Sequence, residues 1–312
     1  MSSPTPGSPV PPAVGRSESR PQRSRRRIVQ KVLTPYLLIA PGIGLVIWIL
    51  GLAVWDSVVL SMRQYPFMII GEPIFVGASN YLRLFQDPVF QASFRATVIF
   101  VLGTVSLGLV MSTAFAMALH ALQRSQKFFS ALNLVPFLLS GVAVGVMWRF
   151  LFAGRGGLIN LSLETLGQAP VAWMSNPDLA LGIVILATIW QKAPVTTLIV
   201  LSGLQSIDKQ LFEAAAIDGA TPWQVFRRIT LPLIVPVLGI SLIWLNFVAF
   251  SMFDIVLAMT RGGPGRATEL LAVRMYYLAF EQFDVVGGAA ILVILLTINI
   301  TVSFLVIRTF RV

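Results

Sequence analysis

The stretch EAAAIDGATPWQVFRRITLPLIVP, residues 213–236, predicts a helix, a glycine turn and a second helix between two long apolar runs. Asp208, a little upstream, is a suitable N-cap for a first helix that continues to Asp218. Gly219 then supplies the left-handed residue with which helices commonly end. We therefore expect a short, well-defined helix that closes at a glycine.

The second helix has its own start signal. Thr221 is a suitable cap, Pro222 fits the first helical position, and Gln224 completes a capping box. Leu231 and Pro232 are expected to stop this helix before the next apolar run. The loop of residues 205–232 is thus predicted to form a rigid unit of two helices, which can transmit force to a partner.

The rest of the chain has the composition of an integral membrane protein. Apolar residues make up 56% of the sequence and charged residues 12%, whereas soluble domains carry about 25% charged residues. A bilayer core about 30 Å thick needs roughly 20 helical residues. Six runs qualify, at about residues 33–62, 96–119, 128–152, 179–204, 233–259 and 285–307. The predicted fold is all-α, a polytopic membrane protein with six transmembrane helices in residues 33–312.

Lysine and arginine are unequally distributed between the two sides of the predicted membrane. The side with both termini and the 205–232 loop carries 14 of them, and the other side carries 7. After the acids are subtracted, the net charges are +10 and zero. The positive-inside rule therefore places both termini and the loop in the cytoplasm. Residues 1–32 are predicted to be a disordered, basic cytoplasmic tail, which binds anionic membrane lipid and no nucleic acid.

Several kinds of catalytic or metal site are excluded or disfavoured by composition. The chain has no cysteine and one histidine, His120, so no disulfide, thiolate site or histidine cluster is expected. We also expect the chain to bind neither a metal ion nor a cofactor. No G-x-x-x-x-G-K-[ST] motif is present, so ATP must be bound by another chain. Asp56, Lys192 and Asp254 fall within the apolar runs, where charges are functional candidates. Asp56 fits a position at the membrane interface, and Lys192 and Asp254 can form an ion pair across helices. A membrane hydrolase with two catalytic aspartates is disfavoured, because the chain offers no usable histidine beside them.

The fifth run offers a candidate solute pathway. Asn246, Phe250 and Asp254 recur every four residues and form one stripe of a continuous helix, with Ser251 beside it. In the fourth run, Trp190 and Gln191 stand close to Pro194, which can free backbone carbonyls. Such side chains suit a neutral sugar or polyol. The alternative is that the polar residues bond to neighbouring helices and never touch solute.

Two other classes of protein share some of these sequence features. Ala215, Gly219 and Val225 have the spacing of a DNA-binding helix-turn-helix, but tethering at both ends to membrane helices disfavours DNA as a partner. An ion-coupled secondary transporter is the stronger alternative. It needs a carboxylate that titrates during transport, and it usually shows repeated halves, which are not apparent here.

The loop resembles the EAA loop of ABC import permeases. Glu213, Ala214 and Ala215, then Gly219, and finally the Ile229-x-Leu231-Pro232 group occupy the fixed positions of that pattern. YLLIAPGIGLVIWI (36–49), FVGASNYLRLFQDPVF (75–90) and MTRGGPGRATELLAVRMYYLAFEQFDVVGGAA (259–290) resemble the larger permease subunit of maltose and glycerol-3-phosphate importers. The resemblance covers about residues 33–312, although Arg261 stands where that family usually has Gly or Thr-Gly.

The resemblance implies a type I ABC importer permease fold in the bacterial cell membrane. It implies as partners a second six-span permease, two ATP-binding subunits that hold ATP and Mg²⁺, and an extracytoplasmic solute-binding protein. The solute is expected to be a sugar or related polyol, glycerophosphate-type solutes included, and the chain itself is not expected to be an enzyme. The residues expected to couple transport to the ATPase are Glu213, Ala214, Ala215, Asp218 and Gly219.

Overall fold

The computed structural model describes residues 23–65, 71–122 and 124–310 of the chain. The helices within these ranges are α1 Arg23–Ser61, α2 Ser79–Gln86, α3 Pro88–Ala121, α4 Gln126–Leu138, α5 Gly141–Leu151, α6 Leu158–Thr165, α7 Pro177–Gln205, α8 Lys209–Ile217, α9 Pro222–Val225, α10 Leu231–Phe250, α11 Asp254–Met259, α12 Leu271–Tyr276 and α13 Val285–Phe310. Two π-helical turns, Phe226–Thr230 and Tyr277–Glu281, precede α10 and follow α12. Strands β1 Arg63–Gln64 and β2 Ile74–Phe75 pair antiparallel.

The all-α prediction with six spans is confirmed. Among the described residues, five helices are long and apolar enough to cross a membrane: Leu38–Ser61 within α1, α3, α7, Pro222–Phe250, and α13. Helices α4 and α5 together form a sixth candidate, but they meet at an angle of 91°. The third apolar run, predicted as one continuous helix, is therefore broken after Leu138, and the chain changes direction at Leu139 and Ser140.

The chain divides into residues 1–55 and residues 56–312. Residues 38–55 of α1 are exposed. In the second part, α7 is the central helix. Of its apolar 18-residue segment 67% is buried, compared with 17% of the corresponding segment of α13. The main core joins α3, α7, α10 and α11, with Phe100, Val184 and Ile255 fully enclosed. A membrane helix with this much buried surface is held mainly by other helices rather than by lipid.

Three predicted boundaries differ from the structure. Helix α1 begins at Arg23, so its first turns lie in the segment assigned to the tail, while residues 1–22 lie outside the described residues. The fifth run does not continue to residue 259, because α10 ends at Phe250 and a separate short helix starts at Asp254. Leu231 and Pro232 do not stop the second helix of the loop.

The continuation of the chain through Pro232 has a structural explanation. The backbone N–H of Leu231 donates to the carbonyl of Phe226, five residues earlier, at the end of the π-helical turn. This wider turn places one extra residue ahead of the proline, whose ring would otherwise meet the carbonyl four residues before it. Residues 222–250 therefore form one long helical segment that joins the loop of residues 205–232 directly to the fifth span.

Candidate functional site

The first loop helix, α8, is capped at both ends as predicted. The Asp208 carboxylate accepts a hydrogen bond of 3.0 Å from the backbone N–H of Gln210. At the other end Gly219 has φ +72°, and its N–H donates to the carbonyl of Ala216 at 3.2 Å. The N–H of Ala220 donates to the carbonyl of Ala215 at 3.0 Å, which completes a Schellman motif. These bonds fix the direction in which the chain leaves α8.

The second loop helix begins with the predicted capping box. The N–H of Gln224 donates to the Thr221 hydroxyl at 3.4 Å, and the N–H of Thr221 donates to the Gln224 side-chain carbonyl at 2.8 Å. Pro222 occupies the first helical position, where no N–H is needed. Because this helix continues into the fifth span, a displacement of the loop is carried directly to a membrane helix.

The predicted coupling residues lie at the surface of this unit. Glu213, Ala214, Asp218 and Gly219 are exposed, whereas Ala215 is 7% exposed and packs inward. Ala215 is therefore part of the internal packing of α8, while the other four residues are accessible to a partner. Four of the five predicted coupling residues thus lie at the surface of the unit, and Ala215 does not.

Exposed apolar side chains on the same unit were missed by the sequence reasoning. Leu211, Ile217 and Trp223 are 44%, 87% and 65% exposed, respectively. The sequence could have indicated them, because they are large apolar residues in a loop that lies outside the predicted spans. Large exposed apolar side chains on a capped unit make it a candidate contact surface.

The predicted pathway residues do not form one stripe. Asn246 lies on α10 and is 4% exposed, and its side-chain amide approaches the Asn299 side-chain oxygen at 3.5 Å. Phe250 packs into the core at the end of α10, Ser251 is exposed in the following turn, and Asp254 begins α11. The break at residues 251–253 removes the regular spacing of four on which the stripe depended.

The polar residues of α7 also have separate environments. Gln191 is 1% exposed and donates a hydrogen bond of 2.7 Å to the carbonyl of Leu139, at the bend between α4 and α5. Trp190 is 38% exposed and lines a cavity of about 430 Å³ with mostly apolar walls between α3, α4 and α7. Helix α7 continues through Pro194 without a break.

The predicted ion pair between Lys192 and Asp254 is wrong. The Lys192 ammonium lies 5.8 Å from the centre of the Phe137 ring, and no carboxylate within the described ranges lies within 4.0 Å of it. Asp254 instead accepts a hydrogen bond of 2.9 Å from the N–H of Ile255 and packs against the backbone of Gly141. The end of the fifth span turns this carboxylate toward α5, away from α7.

Asp254 lines a larger cavity, of about 760 Å³, with several charged side chains that the sequence did not group together. Arg274, 9% exposed, lies 3.6 Å from the Asp87 carboxylate and 3.8 Å from that of Glu269. Glu269 also lies 3.8 Å from Arg266. These contacts join the residue before α3 to α12, over 180 residues along the chain, and α12 to the segment that precedes it.

The structure is a bundle of long apolar helices that carries a capped, exposed two-helix unit between its fourth and fifth spans. Residues 108–310 match the family described as binding-protein-dependent transport system inner membrane component, and the chain belongs to that family. The class is therefore a membrane transport component rather than an enzyme.

Relatives match over nearly the whole chain. The trehalose/maltose transport system permease protein MalF of Thermococcus litoralis is 34% identical, with 88% of this chain and 94% of that protein covered. The sn-glycerol-3-phosphate transport system permease protein UgpA of Yersinia pestis is 36% identical, with 86% and 91% covered. A crystal structure of a bacterial ABC transporter that imports the acidic polysaccharide alginate matches with a TM-score of 0.75 and 22% identity, covering 91% of this chain and 98% of that chain. This last likeness supports the fold.

Proposed function

We propose that this chain is one of two six-span permease subunits of an ATP-driven importer. Its solute is a sugar or related polyol, glycerophosphate-type solutes included, delivered by an extracytoplasmic binding protein. ATP and Mg²⁺ are held by two partner subunits, and both termini of this chain lie in the cytoplasm of a bacterial cell. The names of the trehalose/maltose and sn-glycerol-3-phosphate permeases support this solute class.

The observation that carries the proposal is the exposed loop unit. Its backbone is fixed by caps at Asp208, Gly219 and Thr221, so it moves as one body. Leu211, Ile217 and Trp223 present apolar surface, and the small Ala214 permits close approach. We assign this surface to contact with the ATP-hydrolysing subunit, with Glu213 and Asp218 as its polar rim. The long helix that follows carries the movement of the ATPase into the fifth span.

The solute pathway is assigned to fewer residues than the sequence alone suggested. Trp190, Ser251 and Asp254 are accessible, so they remain candidates for contact with solute. Gln191 and Asn246 are buried, and each has a polar partner within the chain, so they act as packing residues in this conformation. Phe250 joins them in the core.

A glycine substitution tests the coupling assignment. We expect Gly219→Val to reduce solute uptake and binding-protein-stimulated ATP hydrolysis together, because a β-branched residue at φ +72° costs on the order of 1–2 kcal/mol and redirects the chain after α8. A Cβ at this position meets no atom of another segment within 4 Å, so the cost arises from the local backbone conformation. Both quantities are measured in proteoliposomes that contain all subunits, at matched permease content.

The matched control is Gly219→Asn, since asparagine tolerates the left-handed region. It should retain most of the uptake. Full transport by Gly219→Val would contradict the coupling assignment. A separate arm addresses the ion-coupled alternative: uptake should stop on ATP depletion while the proton gradient is intact, and continued uptake would overturn the ATP-driven function.

A further inference from the structure

The 760 Å³ cavity lies between α5, α11, the loop of residues 260–268 and the π-helical turn after α12, on the side that the charge distribution places outside the cell. Aromatic and polar groups share its wall, among them Tyr276. The ionisable side chains on that wall, besides two tyrosines, are Arg149, Arg261, Arg266, Arg274, Asp254, Glu269 and Glu281. The cavity is therefore suited to a polar solute rather than to a lipid chain.

Only some of these charges are neutralised within the chain. Arg274 lies within 4.0 Å of Asp87 and Glu269, and Arg266 lies within 4.0 Å of Glu269. By contrast, Arg149 and Arg261 have no carboxylate within that distance in the described part of the chain. The cavity thus presents two exposed arginines without a carboxylate partner, beside two carboxylates, Asp254 and Glu281, that have no basic side chain within 4.0 Å among the described residues.

The backbone that presents Arg261 is in a conformation that residues with a side chain seldom adopt. Arg261 has φ +51°, and Arg266 on the same loop has φ +70°. Such residues persist where surrounding contacts hold them, and they cluster at functional sites. Glycine would adopt either conformation more easily. The positions nevertheless carry the longest cationic side chain, and both line the cavity.

Hydrogen bonds hold the loop in this form. The Tyr277 hydroxyl donates to the carbonyl of Arg261 at 2.9 Å. The pKa of this hydroxyl is raised, mainly by burial and in addition by the Glu281 and Glu269 carboxylates. The hydroxyl therefore keeps its proton at neutral pH. Across the loop, the fully buried Thr268 donates from its hydroxyl to the carbonyl of Gly263 at 2.7 Å. Arg261 is therefore presented by a fixed loop.

We propose that this cavity binds a polyhydroxylated solute that carries a carboxylate or phosphate, with Arg149 and Arg261 meeting the anion. Asp254 and Glu281 accept hydrogen bonds from solute hydroxyls, and the Tyr276 ring offers an apolar face to a sugar. Guanidinium groups bind carboxylates and phosphates alike through planar, bidentate hydrogen bonds, so one site can recognise either anion. This inference rests on the proposed importer function and narrows its solute to the anionic members of the sugar and polyol class.

Chemical protection tests the site without requiring transport. The arginine reagent phenylglyoxal is applied to the complete importer, and modification of Arg149, Arg261 and the exposed Arg155 is followed by mass spectrometry. Glycerol 3-phosphate or glucuronate should slow the modification of Arg149 and Arg261 about tenfold or more at saturation. Glycerol and glucose, the matched neutral compounds, should not slow it. Arg155, which does not line the cavity, should react at the same rate in all samples.

Equal protection by the charged and neutral compounds, or no protection of either arginine, would overturn the anion site. Protection of Arg155 to the same degree would show a general salt effect, and it would overturn the site as well. The proposed importer function does not depend on these outcomes, since ATP-dependent uptake is measured separately.

Two substitutions at Arg261 then distinguish the effect of the guanidinium charge from that of the strained backbone. Arg261→Gly removes the guanidinium and relieves the positive φ, so a loss of function cannot be attributed to a strained loop. We expect uptake of an anionic solute to fall about tenfold, as expected for loss of a charge-assisted hydrogen bond, while Arg261→Lys retains part of it. Arg155→Gly is the control and should leave uptake unchanged. If Arg261→Gly lowers the affinity for the binding protein to the same extent with and without solute, Arg261 contacts that protein and the solute site is wrong.

Discussion

Two glycines on α5 show how a single residue sets the contact between helices in this chain. Gly141 and Gly145 are one helical turn apart, a spacing that permits close helix approach, and the structure brings α11 against both residues. A Cβ at Gly145 would lie 2.8 Å from the carbonyl oxygen of Ile255 and 2.8 Å from the Cβ of Ala258. Backbone cannot move aside as a flexible side chain can, so this position requires glycine.

We expect Gly145→Ala to destabilise the protein by about 1–3 kcal/mol through overpacking. Thermal unfolding of the detergent-solubilised protein should show a lower midpoint. Gly182→Ala is the matched control, because it lies in helix α7 and a Cβ there meets no atom within 4 Å. Its midpoint should be equal or higher, since alanine favours the helix. Equal midpoints for Gly145→Ala and the native chain would contradict the close contact.

Asn160 is a buried residue that joins α6 to the segment before α7. Its side-chain amide donates to the carbonyls of Gly154 and Val171, both at 2.9 Å, while its oxygen accepts from the N–H of Val171 at 3.0 Å and the Trp173 indole at 2.8 Å. Asn160→Asp keeps the shape and the acceptor but removes the donor. Leaving buried carbonyls unpaired costs about 1–3 kcal/mol, so we expect a lower unfolding midpoint.

Asn176→Asp is the control for this change. The Asn176 side-chain oxygen caps α7 by accepting from the N–H groups of Asp178 and Leu179. An aspartate performs the same cap, so the unfolding midpoint should not fall. If both substitutions lower the midpoint equally, the donated hydrogen bonds of Asn160 are not the source of its effect.

At the scale of elements, the bend between α4 and α5 depends on a polar contact from another helix. The carbonyl of Leu139 lies at the 91° turn, and it accepts a hydrogen bond of 2.7 Å from the buried Gln191 side chain on α7. The Asn133 amide makes a longer contact of 3.4 Å with the carbonyl of Pro194. In an apolar environment a free carbonyl costs several kcal/mol, so Gln191 is a determinant of the bend.

We expect Gln191→Leu to broaden the range of angles between α4 and α5. The native chain has no cysteine, so Phe128→Cys and Phe150→Cys, both at exposed positions on these two helices, can carry spin labels uniquely. The distance distribution from electron paramagnetic resonance should widen in the Gln191→Leu background. Gln205→Leu, which removes an exposed contact with Gln126, should leave it unchanged. An unchanged width in the first variant would show that packing alone holds the bend.

At the scale of the whole molecule, the charge distribution predicts the orientation in the membrane. Arg124 belongs to the side with the larger positive charge and Arg155 to the other, and both are exposed. In intact cells, we expect a membrane-impermeant maleimide to label Arg155→Cys and not Arg124→Cys. Permeabilised cells should label both. Labelling of Arg124→Cys from outside would reverse the orientation, and it would also place the loop unit away from any cytoplasmic ATPase.

The sequence alone determined the number of spans and the caps of the two loop helices, but not the point at which the second of these helices ends. Each of those features depends on residues close together in the chain: an apolar run of sufficient length, a cap and its partner three positions later, or a glycine at the end of a helix. Asp208, Gly219 and Thr221 therefore act in the structure as their local neighbours predicted. The family resemblance rests in part on the same loop.

The tertiary structure decided how the spans break and which charges meet. The bend at Leu139 depends on Gln191, more than 50 residues away, and the short helix that starts at Asp254 packs against glycines more than 100 residues earlier. Arg274 meets Asp87 across a still longer separation. Within one apolar run, a straight span and a bent one have the same hydropathy. The choice between them is made by polar and close-packed contacts from distant segments, which leave no periodic pattern in the sequence.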